Sequence, residues 1–230
     1  MIKADTALEN AALAARTKAI EKRHVTALAF LFGLFASAVV VTNAVSGNVI
    51  NVGPFTFVAG TLLYPVTFLL TDVLSEVFGK RAAQRAVWCG FVAQLLAVAF
   101  IQALRWFPSI DPEMAAAFEK LFAPVPRIVL GSMTAYLIAQ SIDVRLFHAI
   151  RDRTHGEHLW LRNNGSTLVS QAVDTAVFVV VAFAGVLDTG TLVAMALGQY
   201  TAKAIMAAAD TPLCYAAVEL TRKYIRGGRP

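Results

Sequence analysis

Long apolar runs separated by short polar connections make up most of the sequence. A helix that spans a membrane needs about 20 mostly apolar residues, and six stretches of the chain reach that length. They occupy 25–46, 55–78, 87–107, 128–147, 167–187 and 191–220. The pattern predicts an all-α integral membrane protein with six transmembrane helices, which leave no room for a separate soluble domain.

The segments outside the spans are short. Residues 1–24 are predicted to form a cytoplasmic amphipathic segment, 25–220 the six-helix transmembrane domain, and 221–230 a basic cytoplasmic tail. The first apolar run is longer than the core of a signal peptide, so no cleavable signal is expected. The long connection before the fourth span carries an amphipathic piece at 114–122, and the sequence NNGST predicts a helix start near Ser166.

Composition and charge agree with a membrane protein. The chain is 57% hydrophobic and 15% charged, whereas charged residues make up about a quarter of a soluble domain. Sixteen lysines and arginines lie on one side of the predicted spans, and three lie on the other. This positive-inside pattern places both termini in the cytoplasm. The net charge of +5 is therefore mainly a topology signal, and no nucleic-acid partner is expected.

Ionisable side chains within the spans are the main candidates for chemistry. A charge inside a membrane costs about 2.5–3.5 kcal/mol on insertion scales, so each one is a candidate functional residue. The spans contain Asp72, Glu76, Asp143, Asp174, Lys203 and Asp210. A glutamine and an aspartate three residues apart occur twice, as Gln140 with Asp143 and Gln171 with Asp174.

The polar residues of four spans share helical faces. A helix brings residues three and four apart to the same side. The four faces are Tyr64, Phe68, Asp72 and Glu76; Tyr136, Gln140, Asp143 and Phe147; Thr167, Gln171, Asp174 and Phe178; and Gln199, Lys203, Met206 and Asp210. We expect these faces to meet around one polar cavity.

Such a cavity would combine carboxylates, an ammonium group, amides and aromatic rings. A carboxylate accepts two parallel hydrogen bonds from an amidine-like N–H pair, and an amide both donates and accepts. This chemistry suits a purine-like or pterin-like ligand that stacks on an aromatic ring, and it would also suit an organic cation or protons. The sequence contains no recognisable enzyme motif, metal-ligand spacing or cofactor loop, so neither an enzyme nor a cofactor is expected.

Several of these residues also have ordinary structural interpretations. Glu76 lies four residues before Lys80, a spacing typical of an ion pair on a helix. Lys203 can balance Asp210 in its own helix or an aspartate of the second or fifth span. Asn43 can cap or bridge helices near the end of the first span, and the aromatic side chains can simply pack.

Three stretches are long and specific enough to indicate a family. They are GTLLYPVTFLLTDVLSEVFGKRAAQRAVWCGF at 60–91, AYLIAQSIDVRLFHAIRDRTHGEHLWLRNNGSTLVSQAVDT at 135–175 and LGQYTAKAIMAAADTPLCY at 197–215. They resemble the bacterial queuosine-precursor transporters of the vitamin uptake transporter family. The family's polar positions map here onto Asp72, Glu76, Gln140, Asp143, Arg162, Asn163, Asn164, Gln171, Asp174 and Lys203.

The resemblance implies both an architecture and an activity. Members are multi-pass proteins of the bacterial inner membrane with six helices, and they are similar to the substrate-binding subunits of energy-coupling-factor vitamin transporters. They import 7-cyano-7-deazaguanine, and in some cases 7-aminomethyl-7-deazaguanine, for salvage into queuosine in tRNA. The expected partners are thus a small deazapurine and membrane lipid, with formation of a homodimer left open.

We therefore expect a secondary importer of a deazapurine. The predicted substrate-binding residues are Asp174, Gln171, Asp143, Gln140, Glu76, Asp72, Lys203, Tyr64 and Asn43. In this hypothesis Asp174, together with Asp143 or Glu76, binds the N1–H and amine edge of the ligand. The two glutamines bind O6 and the ring nitrogens, and Lys203 balances the charge. A binding subunit that needs an ATPase partner and an intramembrane enzyme are the alternatives.

Overall fold

A computed structural model describes residues 2–155 and 159–227 of the chain as a helical bundle with one β-hairpin. The helices are α1 (Ile2–Val45), α2 (Tyr64–Phe78), α3 (Lys80–Leu104), α4 (Pro112–Phe122), α5 (Val125–Arg153), α6 (Leu159–Phe183) and α7 (Thr189–Arg226). The strands are β1 (Val49–Val52) and β2 (Phe55–Val58), and a short 3-10 helix, Ala59–Leu63, joins β2 to α2.

Five helical stretches of the described residues are long and apolar enough to cross a membrane. They are Leu13–Val45, Ala59–Phe78, Lys80–Leu104, Pro112–Ile150 and Gly165–Phe183. This confirms a mainly helical protein with several candidate spans. The sixth predicted span lies within α7, and it stays a prediction, as does the orientation of the termini.

The predicted second span is not one helix. Residues 55–58 form β2, which pairs with β1 in an antiparallel hairpin whose register joins Val52 to Phe55. Gly53 at the turn has a φ of 58°, a left-handed conformation that glycine adopts without strain. The apolar run concealed this hairpin, because β-strands and helices can both be built from continuous apolar residues.

Two glycines allow close packing around the hairpin: Gly198 where β2 meets α7, and Gly60 where the 3-10 helix meets the end of α1. A Cβ added at Gly198 of α7 would lie 2.3 Å from the backbone oxygen of Thr56. A Cβ added at Gly60 would lie 2.1 Å from Ser46 Oγ and 2.4 Å from the Thr42 oxygen. These contacts hold β2 against α7, and they hold the 3-10 helix that leads into α2 against the end of α1.

Two helix starts differ from the sequence predictions. The N-terminal segment continues into the first span, since α1 runs from Ile2 to Val45 without a break. The predicted helix start near Ser166 is wrong, because α6 already begins at Leu159. A Cβ at Gly165 would be 3.4 Å from Ile150 Cδ1, so this glycine serves close packing of α6 on α5.

The predicted amphipathic piece at 114–122 is confirmed as part of α4. Asp111 caps α4 by accepting hydrogen bonds from the N–H groups of Glu113 and Met114, at 2.9 and 3.2 Å. Glu119 pairs with Arg105 just after α3, and hydrogen bonding to that carboxylate raises the pKa of the Arg105 guanidinium. The α4 helix is therefore held against the end of α3.

The bundle has two packed groups of helices. Phe35 of α1, Leu70 and Leu74 of α2, and Ala86 of α3 form one buried cluster. The second cluster joins the hairpin with α5, α6 and α7, and it includes Ile128, Phe178, Val179 and Met195. Because α7 contacts both α2 and α6, it joins the two groups, and the space between them is the candidate site.

Candidate functional site

A cavity of about 390 Å³ lies between the two helix groups, within the 300–1,000 Å³ that small-molecule sites typically occupy. Seven of the nine predicted site residues line it. They are Asn43, Tyr64, Gln140, Asp143, Gln171, Asp174 and Lys203. The two copies of the Gln/Asp pattern therefore face one space, as the helical periodicity predicts.

Lys203 and Asp174 form a buried ion pair at this cavity. Lys203 Nζ is 2.7 Å from Asp174 Oδ2, and only 3% of the Lys203 side chain is exposed. The same ammonium lies 3.4 Å from Thr175 Oγ1 and 4.8 Å from the centroid of the Tyr64 ring. One lysine of α7 thus contacts both α6 and α2, and of the three aspartates considered above it pairs with Asp174.

Asp143 has a different environment from Asp174. Its Oδ1 accepts a hydrogen bond from the Ser170 hydroxyl at 3.2 Å, and it lines the cavity beside Gln140 and Gln171. Among the described residues no lysine or arginine lies within ion-pair distance of this carboxylate. Within the described residues Asp143 therefore has acceptor capacity left for a ligand.

Two other polar atoms of the lining are buried and have no partner among the described residues. Thr42 Oγ1 and Gln171 Oε1 make no hydrogen bond within the described part of the chain. Asn43 differs, since its amide nitrogen donates to Gln94 Oε1 at 3.4 Å and to the Val39 oxygen at 3.3 Å. A buried polar atom is normally satisfied, so Thr42 and Gln171 are suited to bond a bound molecule.

Aromatic side chains form much of the wall. Tyr64 and Phe68 of α2 lie 5.7 Å apart between ring centroids. Phe91 of α3 meets Tyr136 of α5 edge to face, at 5.3 Å between ring centroids. All four rings line the cavity, whereas Phe178 is 3% exposed and packs in the core. The cavity therefore offers several aromatic surfaces for a flat ring.

Asp72 lies at a second, smaller cavity. This space of about 220 Å³ is bounded by α2, α6 and α7 and is also lined by Tyr200 and Leu168. Phe68, Gln171 and Lys203 line both cavities. Asp72 is thus separated from the main cavity by side chains that the two spaces share.

The structure places Glu76 away from both cavities. Its carboxylate is 67% exposed and lies 3.9 Å from Arg222 of α7, and Arg222 also donates to the Glu76 backbone oxygen at 3.2 Å. The expectation that Glu76 reaches the ligand is thereby corrected. Each step of four residues rotates about 40° around a helix, so a row that starts at Tyr64 has turned away from the cavity by Glu76.

Sequence reasoning named only Asn43 of α1 and no residue of α3. Phe35, Val39 and Thr42 of α1 line the cavity together with Asn43, and Phe91 does so from α3. The spacing of the α1 residues is that of one helical face, but only Asn43 among them is strongly polar. The side chains of Phe147, Arg162, Asn163, Asn164 and Asp210, which the sequence also indicated, fall outside the described residues.

Comparison with known families matches residues 58–217 to the family described as "Putative vitamin uptake transporter". The chain belongs to this family of vitamin uptake transporters. The match contains most of the residues around the cavity, from Tyr64 to Lys203. Membership of a transporter family, together with the apolar helices, makes the chain a multi-pass membrane protein.

Named relatives of the family agree with this result. The chain is 34% identical over 193 residues to the "Probable queuosine precursor transporter" of Bacillus subtilis (strain 168), which covers 83% of this chain and 84% of that one. It is 32% identical over 124 residues to the "Queuosine precursor transporter" of Escherichia coli (strain K12), covering 54% of each chain. No solved structure matches the chain.

Proposed function

We propose that the protein is a transporter of queuosine precursors and that its substrate is 7-cyano-7-deazaguanine, which it imports across the bacterial inner membrane as a secondary transporter. The observation that carries the proposal is the cavity lined by Asp143, Gln140 and Gln171 between aromatic walls. The names of the relatives from Bacillus subtilis and Escherichia coli point to the same ligand class.

Asp143 is the proposed acceptor for the N1–H and amine edge of the ligand. A carboxylate matches that edge because its two oxygens accept two parallel hydrogen bonds. Asp174 is less suited than the sequence suggested, because Lys203 already occupies one of its oxygens at 2.7 Å. The Ser170 hydroxyl bonded to Asp143 orients the carboxylate without adding charge.

The remaining edges of the ligand are assigned to neutral groups. Gln140 and Gln171 can donate to O6 and accept from ring N–H groups, since an amide has both functions. The buried Gln171 Oε1 and Thr42 Oγ1 lack protein partners among the described residues, and a bound heterocycle would satisfy them. The rings of Tyr64, Phe68, Phe91 and Tyr136 supply the surfaces for stacking.

The transport mode is tested with the purified protein alone. Labelled 7-cyano-7-deazaguanine should accumulate inside liposomes that contain only this chain, and unlabelled ligand in excess should suppress the accumulation. Adenine, which lacks the donor pair of guanine, is the matched competitor and should have little effect. Binding without uptake would favour a binding subunit that needs an ATPase partner, whereas absence of both would contradict the deazapurine assignment.

A further inference from the structure

A row of residues along the 3-10 helix faces a row on α7. A 3-10 helix brings residues three apart to one side, and an α-helix does so for residues four apart. The two rows are Val58, Thr61 and Tyr64, and Met195, Gln199 and Lys203. At one end Val58 and Met195 belong to the same buried cluster. At the other end Lys203 Nζ lies 4.8 Å from the centroid of the Tyr64 ring, so the middle residues of the two rows face each other.

These middle residues, Thr61 and Gln199, are fully buried. Both side chains are 0% exposed. Thr61 Oγ1, Gln199 Oε1 and Gln199 Nε2 nevertheless have no hydrogen-bond partner among the described residues, and therefore do not bond each other. Because a buried polar atom is normally satisfied, the two side chains are suited to bind an ion or a small polar molecule between them.

Thr42 of α1 connects this place with the main cavity. Its Cγ2 would lie 3.1 Å from a Cβ added at Gly60, the residue before Thr61. Its Oγ1 is also buried and lacks a partner in the described part of the chain, and Thr42 lines the main cavity. A hydroxyl has one donor and two acceptor lone pairs. Thr42 can therefore coordinate an ion through its oxygen while its O–H bonds a heterocycle in the cavity.

The chemistry of these atoms favours a cation with a single charge. They offer two hydroxyl oxygens and one amide oxygen, whereas Ca²⁺ and Mg²⁺ sites depend on carboxylates. Thr42 lies in the last turn of α1, which ends at Val45, and aligned peptide dipoles make that end of a helix partly negative. Helix ends and non-helical backbone coordinate Na⁺ in secondary transporters, and the 3-10 helix is such a segment. Gln199 Nε2 can donate to a water molecule bound with the ion.

We propose that Thr42, Thr61 and Gln199 bind an alkali-metal cation beside the cavity, and that this ion is coupled to deazapurine binding through the Thr42 hydroxyl. A cation on Thr42 Oγ1 polarises the O–H and makes it a stronger donor to the ligand. By linkage, each of the two then raises the affinity for the other, and a cation gradient would drive the proposed import. The coupling rests on the function proposed above, whereas the cation site itself does not.

The cation site is tested first without a deazapurine. Sodium or potassium chloride should raise the thermal unfolding temperature of the purified full-length protein above its value in choline chloride of equal ionic strength. The expected shift is about 2–4 °C when the cation is well above its dissociation constant. Thr61→Val removes an oxygen at nearly constant size and should abolish the shift, whereas Thr61→Ser should keep it.

Thr201→Val is the matched control on α7. The Thr201 hydroxyl bonds the Leu197 oxygen of its own helix at 2.8 Å, so this variant should respond to the salts as the wild type does. The absence of a shift in the wild type, or an undiminished shift in Thr61→Val, would overturn the cation site and leave the proposed function intact. An ordered water molecule alone between Thr61 and Gln199 would give the first of these results.

Equilibrium binding of 7-cyano-7-deazaguanine then tests the coupling. The wild type should bind the ligand about fivefold or more tightly in the stabilising alkali salt than in choline chloride. Thr61→Val should show, in either salt, the affinity that the wild type has in choline chloride. Equal wild-type affinity in both salts would overturn the coupling. A cation-dependent unfolding temperature in a protein that binds no deazapurine would overturn the proposed function and the coupling, while the cation site would stand.

Discussion

Lys203 of α7 and Asp174 of α6 lie 2.7 Å apart between Nζ and Oδ2, in a position where only 3% of the lysine and 18% of the aspartate side chain is exposed. The Tyr64 ring of α2 lies 4.8 Å from the same Nζ. The ion pair joins α6 and α7, and the ring contact extends it to α2 of the other helix group. Its loss should therefore affect stability.

Breaking the ion pair should be strongly destabilising. Removing one partner of a buried pair typically costs about 3–5 kcal/mol, because it leaves an uncompensated charge. Asp174→Asn and Lys203→Met should therefore each lower the thermal unfolding temperature of the purified protein. The double variant should lose much less than the two single losses combined. Additive losses in this double-mutant cycle would show that the two groups do not interact in the folded protein.

Gly198 should tolerate no side chain where the hairpin meets α7. A Cβ there would lie 2.3 Å from the Thr56 oxygen, and backbone displaced by overpacking typically costs about 1–3 kcal/mol. Gly198→Ala should thus lower the unfolding temperature. Gly33→Ala is the matched control, since a Cβ at Gly33 meets nothing within 4 Å and alanine favours the helix. Equal unfolding temperatures of the two variants would contradict the close approach of β2 to α7.

Asp188 should stabilise α7 in a pH-dependent manner. Hydrogen bonds from the Thr191 hydroxyl and backbone N–H hold the pKa of Asp188 below its usual value, and the carboxylate caps α7. A carboxyl with a lowered folded-state pKa stabilises the protein above its unfolded pKa, and this stabilisation is lost as the pH falls through the folded value.

Asp188→Ala should accordingly lower the unfolding temperature at pH 7, and the difference from wild type should shrink on acidification. Asp188→Asn retains an acceptor for the cap, so it should remain closer to wild type at neutral pH. Unfolding scans of the three proteins between pH 7 and pH 3 measure the effect. A wild-type advantage over Asp188→Ala that grows in acid would refute the capping account.

The Tyr64 ring should contribute to ligand affinity. Stacking of a base on an aromatic side chain is worth about 1–3 kcal/mol, so Tyr64→Leu should weaken binding of 7-cyano-7-deazaguanine by about tenfold or more. Tyr64→Phe keeps the ring and should retain most of the affinity. Equal weakening in both variants would mean that the hydroxyl, and not the ring face, is what the ligand requires.

The sequence predicted the polar cavity better than it predicted individual contacts. Gln140, Asp143, Gln171 and Asp174 were placed together by helical periodicity alone, and all four line one cavity. In α2 the predicted polar face does not reach the cavity at Glu76, because residues spaced four apart rotate gradually around a helix of 3.6 residues per turn. Such drift becomes visible only over several turns.

Some features depend on how the helices pack together, which helical periodicity in the sequence does not predict. Three aspartates were plausible partners for Lys203, and the approach of α7 to α6 pairs it with Asp174. The side chain of Asp210 falls outside the described residues. The hairpin was hidden within an apolar run, although Gly53 and Pro54 between the residues of β1 and β2 were a signal for a turn. Asn43 was the only residue of α1 that the sequence indicated, and Phe35 and Val39 were missed because an apolar face does not reveal whether it meets lipid or a ligand.

The measurement that tests the central claim most directly is the affinity of the purified protein for 7-cyano-7-deazaguanine in Asp143→Asn and Glu76→Gln variants. Hydrogen bonds to a charged group contribute about 1.5–3 kcal/mol, so Asp143→Asn should weaken binding by about ten- to a hundredfold. Glu76→Gln, which neutralises an exposed carboxylate outside the cavity, should bind as the wild type does. Wild-type affinity in Asp143→Asn, or a loss confined to Glu76→Gln, would contradict the assignment of the cavity as the deazapurine site.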